Sequence, residues 1–165
     1  MESAKLCFFN PFAEISRTRN FLPHWQQPGA TYFITFRLAD AIPAELRDAW
    51  REERATWLKW HPKPWSEVVE KEYHTRFSQQ VDEWMDAGHG ECVLRDDACR
   101  GVVEAVLRFR DGAEYFLHAW VAMPNHVHVL VSLGPAAVLE TTVGAWKSVS
   151  SRRIGKLVGR RGTLR

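Results

Sequence analysis

Hydrophobic and polar positions follow a strand-like pattern in three segments of this chain. Residues 31–38 are rich in aromatic and β-branched side chains and carry no charge before Arg37, which predicts a strand. Residues 115–123 and 126–133 predict two more strands. Pro124-Asn125 joins these two as an antiparallel hairpin, with a type I or II turn rather than a primed one. Residues 1–30 have no such period and predict an irregular N-terminal arm.

Other segments have the apolar stripe of amphipathic helices. The predicted helices are one that Pro43 opens, one that Ser66 caps and that ends near Gly88, one that Asp96 or Asp97 caps, and one over residues 137–158. The order strand, helices, hairpin, helix predicts an α+β fold, with an antiparallel sheet covered by helices on one face. Extra helices form an insertion after the first strand. Residues 31–165 are expected to be one domain behind the arm.

Composition excludes several classes of protein. The 165 residues are 45% hydrophobic and 25% charged, which is typical of a folded domain. No apolar run approaches the roughly 18 residues of a membrane span, and no signal peptide is visible, so we expect a cytoplasmic protein without a membrane partner. The three cysteines, Cys7, Cys92 and Cys99, are widely spaced, which favours reduced thiols over a disulfide framework.

Charge is distributed unevenly along the chain. Residues 1–140 contain all 20 acidic residues and 15 of the 22 basic ones, whereas residues 141–165 contain seven basic residues and no acidic one. A block of one sign predicts a polyanionic partner, above all nucleic acid, and a solvated basic tail is the alternative. The predicted DNA contacts are Lys147, Arg152, Arg153 and Lys156, with Arg37 and the N-terminal arm next in line.

A pair of histidines on one predicted strand is the main candidate for chemistry. His126 and His128 lie two residues apart, so their side chains share a face, with Cα atoms about 6.6 Å apart. Two imidazoles at this spacing can bind one divalent ion, with water or phosphate at the remaining positions of Mg²⁺ or Mn²⁺. Two ordinary sheet histidines are the alternative.

The segment YFLHAWVAMPNHVHVLV, which contains both histidines, resembles the HUH-motif strand pair of the REP-associated tyrosine transposases, an IS200-like family of single-tyrosine transposases. The segments LPHWQQPGATYFITFRLAD and GHGECVLRD and the helix around Trp146-Lys147-Ser148 resemble the same family. The similarity covers residues 22–165 in order.

This resemblance implies a ferredoxin-like α+β domain that binds single-stranded or hairpin DNA, as a monomer or a homodimer. In the family, a tyrosine attacks a phosphodiester, forms a 5′-phosphotyrosine and releases a 3′-OH. A divalent metal ion on the two histidines polarises the scissile phosphate. Carried over to this sequence, the metal ligands are His126 and His128.

The sequence departs from the family pattern at the nucleophile. The family tyrosine lies on a helix beyond the histidine pair, after a glycine followed by Leu-Trp-Gln, so we expect it beyond Arg165 and the domain to be C-terminally incomplete. The tyrosines present, Tyr32, Tyr73 and Tyr115, do not match that position. An unbroken hairpin register places Tyr115 near Gly134, about 26 Å along the strand from His126.

Three functions therefore remain open at this point. The first is a transposase-type DNA strand transferase whose nucleophile lies outside this sequence. The second is a noncatalytic module that binds hairpin or single-stranded DNA. The third is a metal-binding or structural domain unrelated to DNA, which the charge distribution disfavours.

Overall fold

The computed structural model describes residues 6–10, 12, 16–17, 25–27 and 29–159. The strands are β1 (Ser16–Arg17), β2 (Trp25–Gln26), β3 (Thr31–Arg37), β4 (Tyr115–Ala122) and β5 (His126–Leu133). The α-helices are α1 (Ala44–Trp60), α2 (Glu67–Tyr73), α3 (Gln79–Asp86), α4 (Asp97–Arg108) and α5 (Leu139–Leu157). None of the helices in this part of the chain is long and apolar enough to cross a membrane.

The centre of the fold is a three-stranded antiparallel sheet in the order β3-β5-β4. The predicted strand and hairpin are confirmed. The Met123 amide donates to the His126 carbonyl at 2.8 Å and closes the hairpin turn. Neither Pro124 nor Asn125 has a positive φ, which excludes the primed and type II turns and leaves type I of the two predicted types.

The register of the hairpin is interrupted by one residue. Leu117 lies opposite Val131 and Ala119 lies opposite Leu130, so His118 forms a bulge in β4. Its imidazole Nε2 lies 2.8 Å from the Ser132 hydroxyl. The bulge brings Tyr115 opposite Leu133, one residue short of the position near Gly134 that an unbroken register predicts.

Helices cover one face of this sheet, as predicted. Val127, Val129 and Val131 of β5 are buried against α4 and α5 in a single apolar core. Much of the opposite face is open within the described residues, where Phe33 of β3 is 69% exposed, but this face is covered at the beginning of β5, where His126 is buried. Because Val127 and Val129 anchor one side of β5 in the core, the side chains of the alternate positions are held on the other side.

The predicted helical insertion lies between β3 and α4. It consists of α1, α2 and α3, and a π-helical turn at His74–Ser78 joins α2 to α3. The Ser66 hydroxyl accepts a hydrogen bond from the Val69 amide and caps α2, as the sequence indicates. Trp57 of α1 and Phe77 of the π-helical turn are buried together, so the insertion has a small aromatic core of its own.

The α+β class is confirmed, whereas the ferredoxin-like topology stays a prediction. The order β3-α4-β4-β5-α5, with β5 in the middle of the sheet, agrees with the first part of that topology. A ferredoxin-like sheet has a fourth strand, and no such strand pairs with the free edge of β3 in the part of the chain that the structure describes.

Candidate metal and nucleic-acid site

The two histidines meet at the beginning of β5. The Nε2 atoms of His126 and His128 lie 3.0 Å apart, and their rings are nearly perpendicular, at 83°. His126 is buried, with 1% of its surface exposed, and His128 is partly exposed on the open face of the sheet. The structure therefore brings both imidazoles to one point, as the spacing of two residues along a strand predicts.

Asn125 orients the His126 ring. The side-chain amide group of Asn125 donates to the carbonyl oxygens of Met85 and His89, each at 3.1 Å. Carbonyl oxygens only accept, so the Asn125 Oδ1 atom is the one that faces His126 Nδ1, at 2.9 Å. His126 Nδ1 must then carry a proton. In the neutral ring the lone pair is on Nε2, which is the atom that faces His128.

Thr35 orients the second ring. The hydroxyl of Thr35, directly opposite on β3, lies 2.8 Å from His128 Nδ1. Phe33 stacks on the same ring, with centroids 5.3 Å apart and planes 18° apart. A threonine hydroxyl can donate or accept. With no ion present, Thr35 donates to Nδ1 and His128 Nε2–H donates to His126. With an ion on both Nε2 atoms, His128 Nδ1–H donates to Thr35 instead.

This geometry fits a divalent ion with two adjacent imidazole ligands. Two nitrogens at about 2.1 Å from an ion and at right angles to each other lie about 3.0 Å apart, which matches the Nε2–Nε2 distance. Hydrogen bonds from Nδ1 to neighbouring oxygens are the usual support of such ligands. In the described residues no group of three or more His, Cys, Asp or Glu side chains is placed to hold a metal. Water or phosphate oxygens would fill the remaining coordination positions of the ion.

The surroundings keep His126 neutral. Burial is the main cause that lowers the pKa of His126 below its ordinary value of 6.5, and His128 lowers it further. Asp86 and Asp82 oppose this shift. A neutral imidazole is the form that binds a metal ion, so the position favours the ligand form at neutral pH.

The structure brings two of the predicted DNA contacts to the histidine site. Arg37 lies directly opposite His126 in the β3–β5 ladder, and Lys147 projects from α5. Both line one cavity of about 160 Å³, which His126 also lines. Burial, followed by the guanidinium groups of Arg47 and Arg51, lowers the pKa of Arg37, as expected where positive charges gather.

The other three predicted contacts lie elsewhere on α5. Arg152 is five positions from Lys147, or about 140° around the helix, and its Nε donates to the Ser148 carbonyl. Arg153 lines a separate cavity with Arg110. Arg152, Arg153 and Lys156 are all exposed. The basic block therefore faces several directions, because a helix distributes adjacent residues around its axis. Arg160, Arg161 and Arg165 lie outside the described residues.

The hydroxyls of all three tyrosines are hydrogen-bonded to groups other than the histidine pair. The Tyr115 hydroxyl is buried, donates to the Leu107 carbonyl at 2.7 Å and accepts from Trp146 Nε1. Burial raises its pKa. The Tyr32 hydroxyl accepts from the Gln27 amide, and that of Tyr73 accepts from Arg54 Nε. Tyr115 pairs seven residues along β5 from His126, or about 24 Å.

Asn125 and Thr35 are the site residues that the sequence did not indicate. Pro124-Asn125 is explained as a turn, and Thr35 as a strand residue, without any further role. A signal for Asn125 does exist, because a buried asparagine directly before a candidate ligand can accept from its Nδ1. Thr35 could have been found only from the β3–β5 register, which no local pattern specifies.

Residues 91–161 match the family model described as "Transposase IS200 like". The matched segment includes α4, the hairpin with His126 and His128, and α5. The match confirms the resemblance to an IS200-like transposase domain over this range, and this family implies a DNA-associated role. No curated protein matches the chain, and no solved structure does.

Proposed function

We propose that this protein binds a DNA strand at a divalent metal site made by His126 and His128. The observation that carries the proposal is the convergence of the two Nε2 atoms at 3.0 Å, with both Nδ1 atoms hydrogen-bonded to oxygens. Mn²⁺ and Mg²⁺ are the proposed ions, of which Mn²⁺ accepts imidazole ligands more readily. The DNA is single-stranded or forms a hairpin.

Basic side chains close to His126 and along α5 are proposed to bind the phosphates of such a strand. Arg37 and Lys147 are cations beside His126 and are proposed to bind phosphates next to the one at the histidines. Arg152, Arg153 and Lys156 extend the basic surface along α5 and contribute affinity without base specificity. A bound divalent ion supplies withdrawal of negative charge from phosphate oxygens, which lowers the barrier to nucleophilic attack. Asn125 keeps His126 in the tautomer that binds an ion through Nε2, and Thr35 would accept the Nδ1 proton of His128 once an ion is bound.

The reaction that the family implies is single-strand cleavage and transfer through a 5′-phosphotyrosine. A phenolate suits a reversible transfer, because it is both an adequate nucleophile and an adequate leaving group. This reaction needs a tyrosine hydroxyl close to the phosphate at the histidines. Tyr32, Tyr73 and Tyr115 are each bonded elsewhere, so none of them is proposed as the nucleophile.

A noncatalytic DNA-binding module is the second candidate function. The positions of the three tyrosines favour it for residues 1–165, because the histidine pair without a positioned nucleophile leaves only water to attack the phosphate. The two candidates differ in one product. Strand transfer gives a covalent protein–DNA adduct, and the binding module gives none.

Binding and adduct formation can be measured with the same DNA. A 5′-labelled hairpin oligonucleotide with a single-stranded tail is titrated with protein in Mn²⁺ or in EDTA, and the mixtures are then run on a denaturing gel. We expect tighter binding in Mn²⁺ for the wild type and no such gain for His126→Ala plus His128→Ala. Equal binding by both proteins would contradict the metal-site proposal, and an adduct would favour the transferase over the binding module.

A further inference from the structure

A small cavity lies beside His126, between the end of β3 and α5. Its volume is about 160 Å³, which is below the roughly 300–1,000 Å³ of pockets for drug-sized ligands. Its apolar lining consists of core residues of the sheet and the helices: Phe36, Leu94, Val103, Val127 and Ile154. An occupant of this cavity must therefore be small and must present an apolar surface to these walls.

Ser150 provides a buried polar group in this lining. It is 5% exposed, and its hydroxyl is buried without a hydrogen-bond partner in the described part of the chain. A buried polar group without a partner is destabilising. Ser150 lines the cavity from α5, so an occupant with a polar edge can satisfy this hydroxyl.

Two cations also line the cavity. Arg37 and Lys147 have no carboxylate within ion-pair distance among the described residues, whereas Arg47 and Arg51 both pair with Asp48. Cations that the fold leaves without acidic partners are suited to an external anion. A nucleotide complements all three features of this cavity. Its planar heterocycle fits the apolar wall, the polar edge of that heterocycle fits the buried hydroxyl, and its phosphate fits the two cations.

We propose that this cavity receives one unpaired nucleotide of the DNA strand. The base lies against the apolar walls with its edge at the Ser150 hydroxyl, and Arg37 and Lys147 bind its phosphate. The inference rests on the proposed function, because His126 lines the same cavity and the strand continues from this nucleotide to the histidine pair. A paired base would first have to leave its duplex, which costs free energy, so the pocket selects unpaired DNA.

The pocket is tested by NMR titration with the four deoxynucleoside 5′-monophosphates, and with deoxyribose 5-phosphate as the probe that lacks a base. At least one nucleotide should bind about tenfold more tightly than the sugar phosphate, since a stacked base contributes about 1–3 kcal/mol. Ser150→Leu fills the cavity and should abolish this preference. Ser148→Leu, at an exposed position of the same helix, should keep it.

Ser150→Ala tests the same hydroxyl in a variant that should fold as the wild type does. It removes the buried hydroxyl without filling the cavity, so its unfolding temperature should be equal to or above that of the wild type while its nucleotide affinity falls several-fold. A merely structural serine would not show this combination. Equal affinity for all nucleotides and the sugar phosphate would identify a plain anion site and overturn the proposal, as would unchanged binding by both Ser150 variants.

A competition experiment shows whether the cavity binds a nucleotide of a DNA strand or a free nucleotide. A single-stranded 16-mer of thymidylate in Mn²⁺ should displace the bound mononucleotide, as the strand assignment requires. Simultaneous binding of both would assign the cavity to a free nucleotide and overturn the proposal. If the wild type binds the nucleotide but neither the 16-mer nor the hairpin, the proposed function fails. If the wild type binds DNA but has no preference for a nucleotide over the sugar phosphate, only the proposal for the cavity fails.

Discussion

Asn125 and His126 are joined by a hydrogen bond whose direction is set by atoms outside the pair. The Asn125 amide group is committed to the carbonyls of Met85 and His89, so its oxygen accepts the Nδ1 proton of His126. These carbonyls belong to the end of α3 and the segment after it. The helical insertion thus determines the tautomer of a histidine on the central strand.

The role of Asn125 can be tested by substitution. Asn125→Ala removes the acceptor and leaves buried groups unpaired, so the free energy of unfolding should fall by about 1–3 kcal/mol. Mn²⁺ affinity should fall about 10–100-fold, as for other residues that support metal ligands. Urea unfolding and calorimetry measure the two effects.

Thr35→Val is compared with Asn125→Ala to separate the effect on metal binding from the effect on stability. Thr35 is exposed and bonds the other histidine, so this variant should lower Mn²⁺ affinity with little change in stability. Full Mn²⁺ affinity in Asn125→Ala would show that the orientation of His126 does not support metal binding.

Stability should depend on pH through His126. Its pKa in the folded protein lies below the ordinary 6.5, so the unfolded chain takes up the proton first as the pH falls. The stabilisation by the neutral ring is therefore complete above pH 6.5 and is lost as the pH falls from there through the lower folded pKa. Urea midpoints in EDTA at pH 7.5 and pH 5.5 should differ less in His126→Asn than in the wild type. An equal difference in both proteins would contradict the lowered pKa of His126.

The salt dependence of DNA binding should identify the contributing cations. Each phosphate contact on a single strand contributes about −0.7 to the slope of log affinity against log salt. Lys147→Gln should reduce the slope by about one such unit, and Arg152→Glu plus Arg153→Glu should flatten it further. Lys71→Gln, on exposed α2, is the control and should leave the slope unchanged. A steep slope in all the α5 variants would move the DNA surface away from α5.

Tyr115 should matter for stability and not for strand chemistry. Tyr115→Phe removes the bond to the Leu107 carbonyl and leaves Trp146 Nε1 without its acceptor, so unfolding free energy should fall by about 1–3 kcal/mol. DNA affinity in Mn²⁺ should stay the same. Adduct formation by the wild type that disappears in Tyr115→Phe would make Tyr115 the nucleophile and contradict the assignment of a structural role.

The elements of this fold were predictable where a local period carries the information. Alternation in β5 determines which side chains enter the core, so the shared position of His126 and His128 follows from the sequence. Caps such as Ser66 and Asp96 are local as well. The bulge at His118 was not predictable, because its cause lies in the pairing with β5 and not in the composition of β4.

The surroundings of the candidate site depend on contacts between distant residues. Arg37 and Lys147 are 110 positions apart in the sequence and line one cavity only because β3 and α5 flank the beginning of β5. The charge block of α5 predicted a polyanion, yet it could not show that Lys147 lines a cavity with His126 while Arg153 lines another cavity. That separation requires the orientation of α5 about its own axis.

Pulsed electron paramagnetic resonance of bound Mn²⁺ tests most directly whether the two imidazoles hold the ion that binds a DNA phosphate. The Mn²⁺ signal of the wild type should show coupling to two imidazole nitrogens, and a coupling to phosphorus should appear when a single-stranded oligonucleotide is added. His126→Ala plus His128→Ala should lose both couplings. Bound Mn²⁺ without imidazole coupling in the wild type, or with the same couplings in the double variant, would contradict the account.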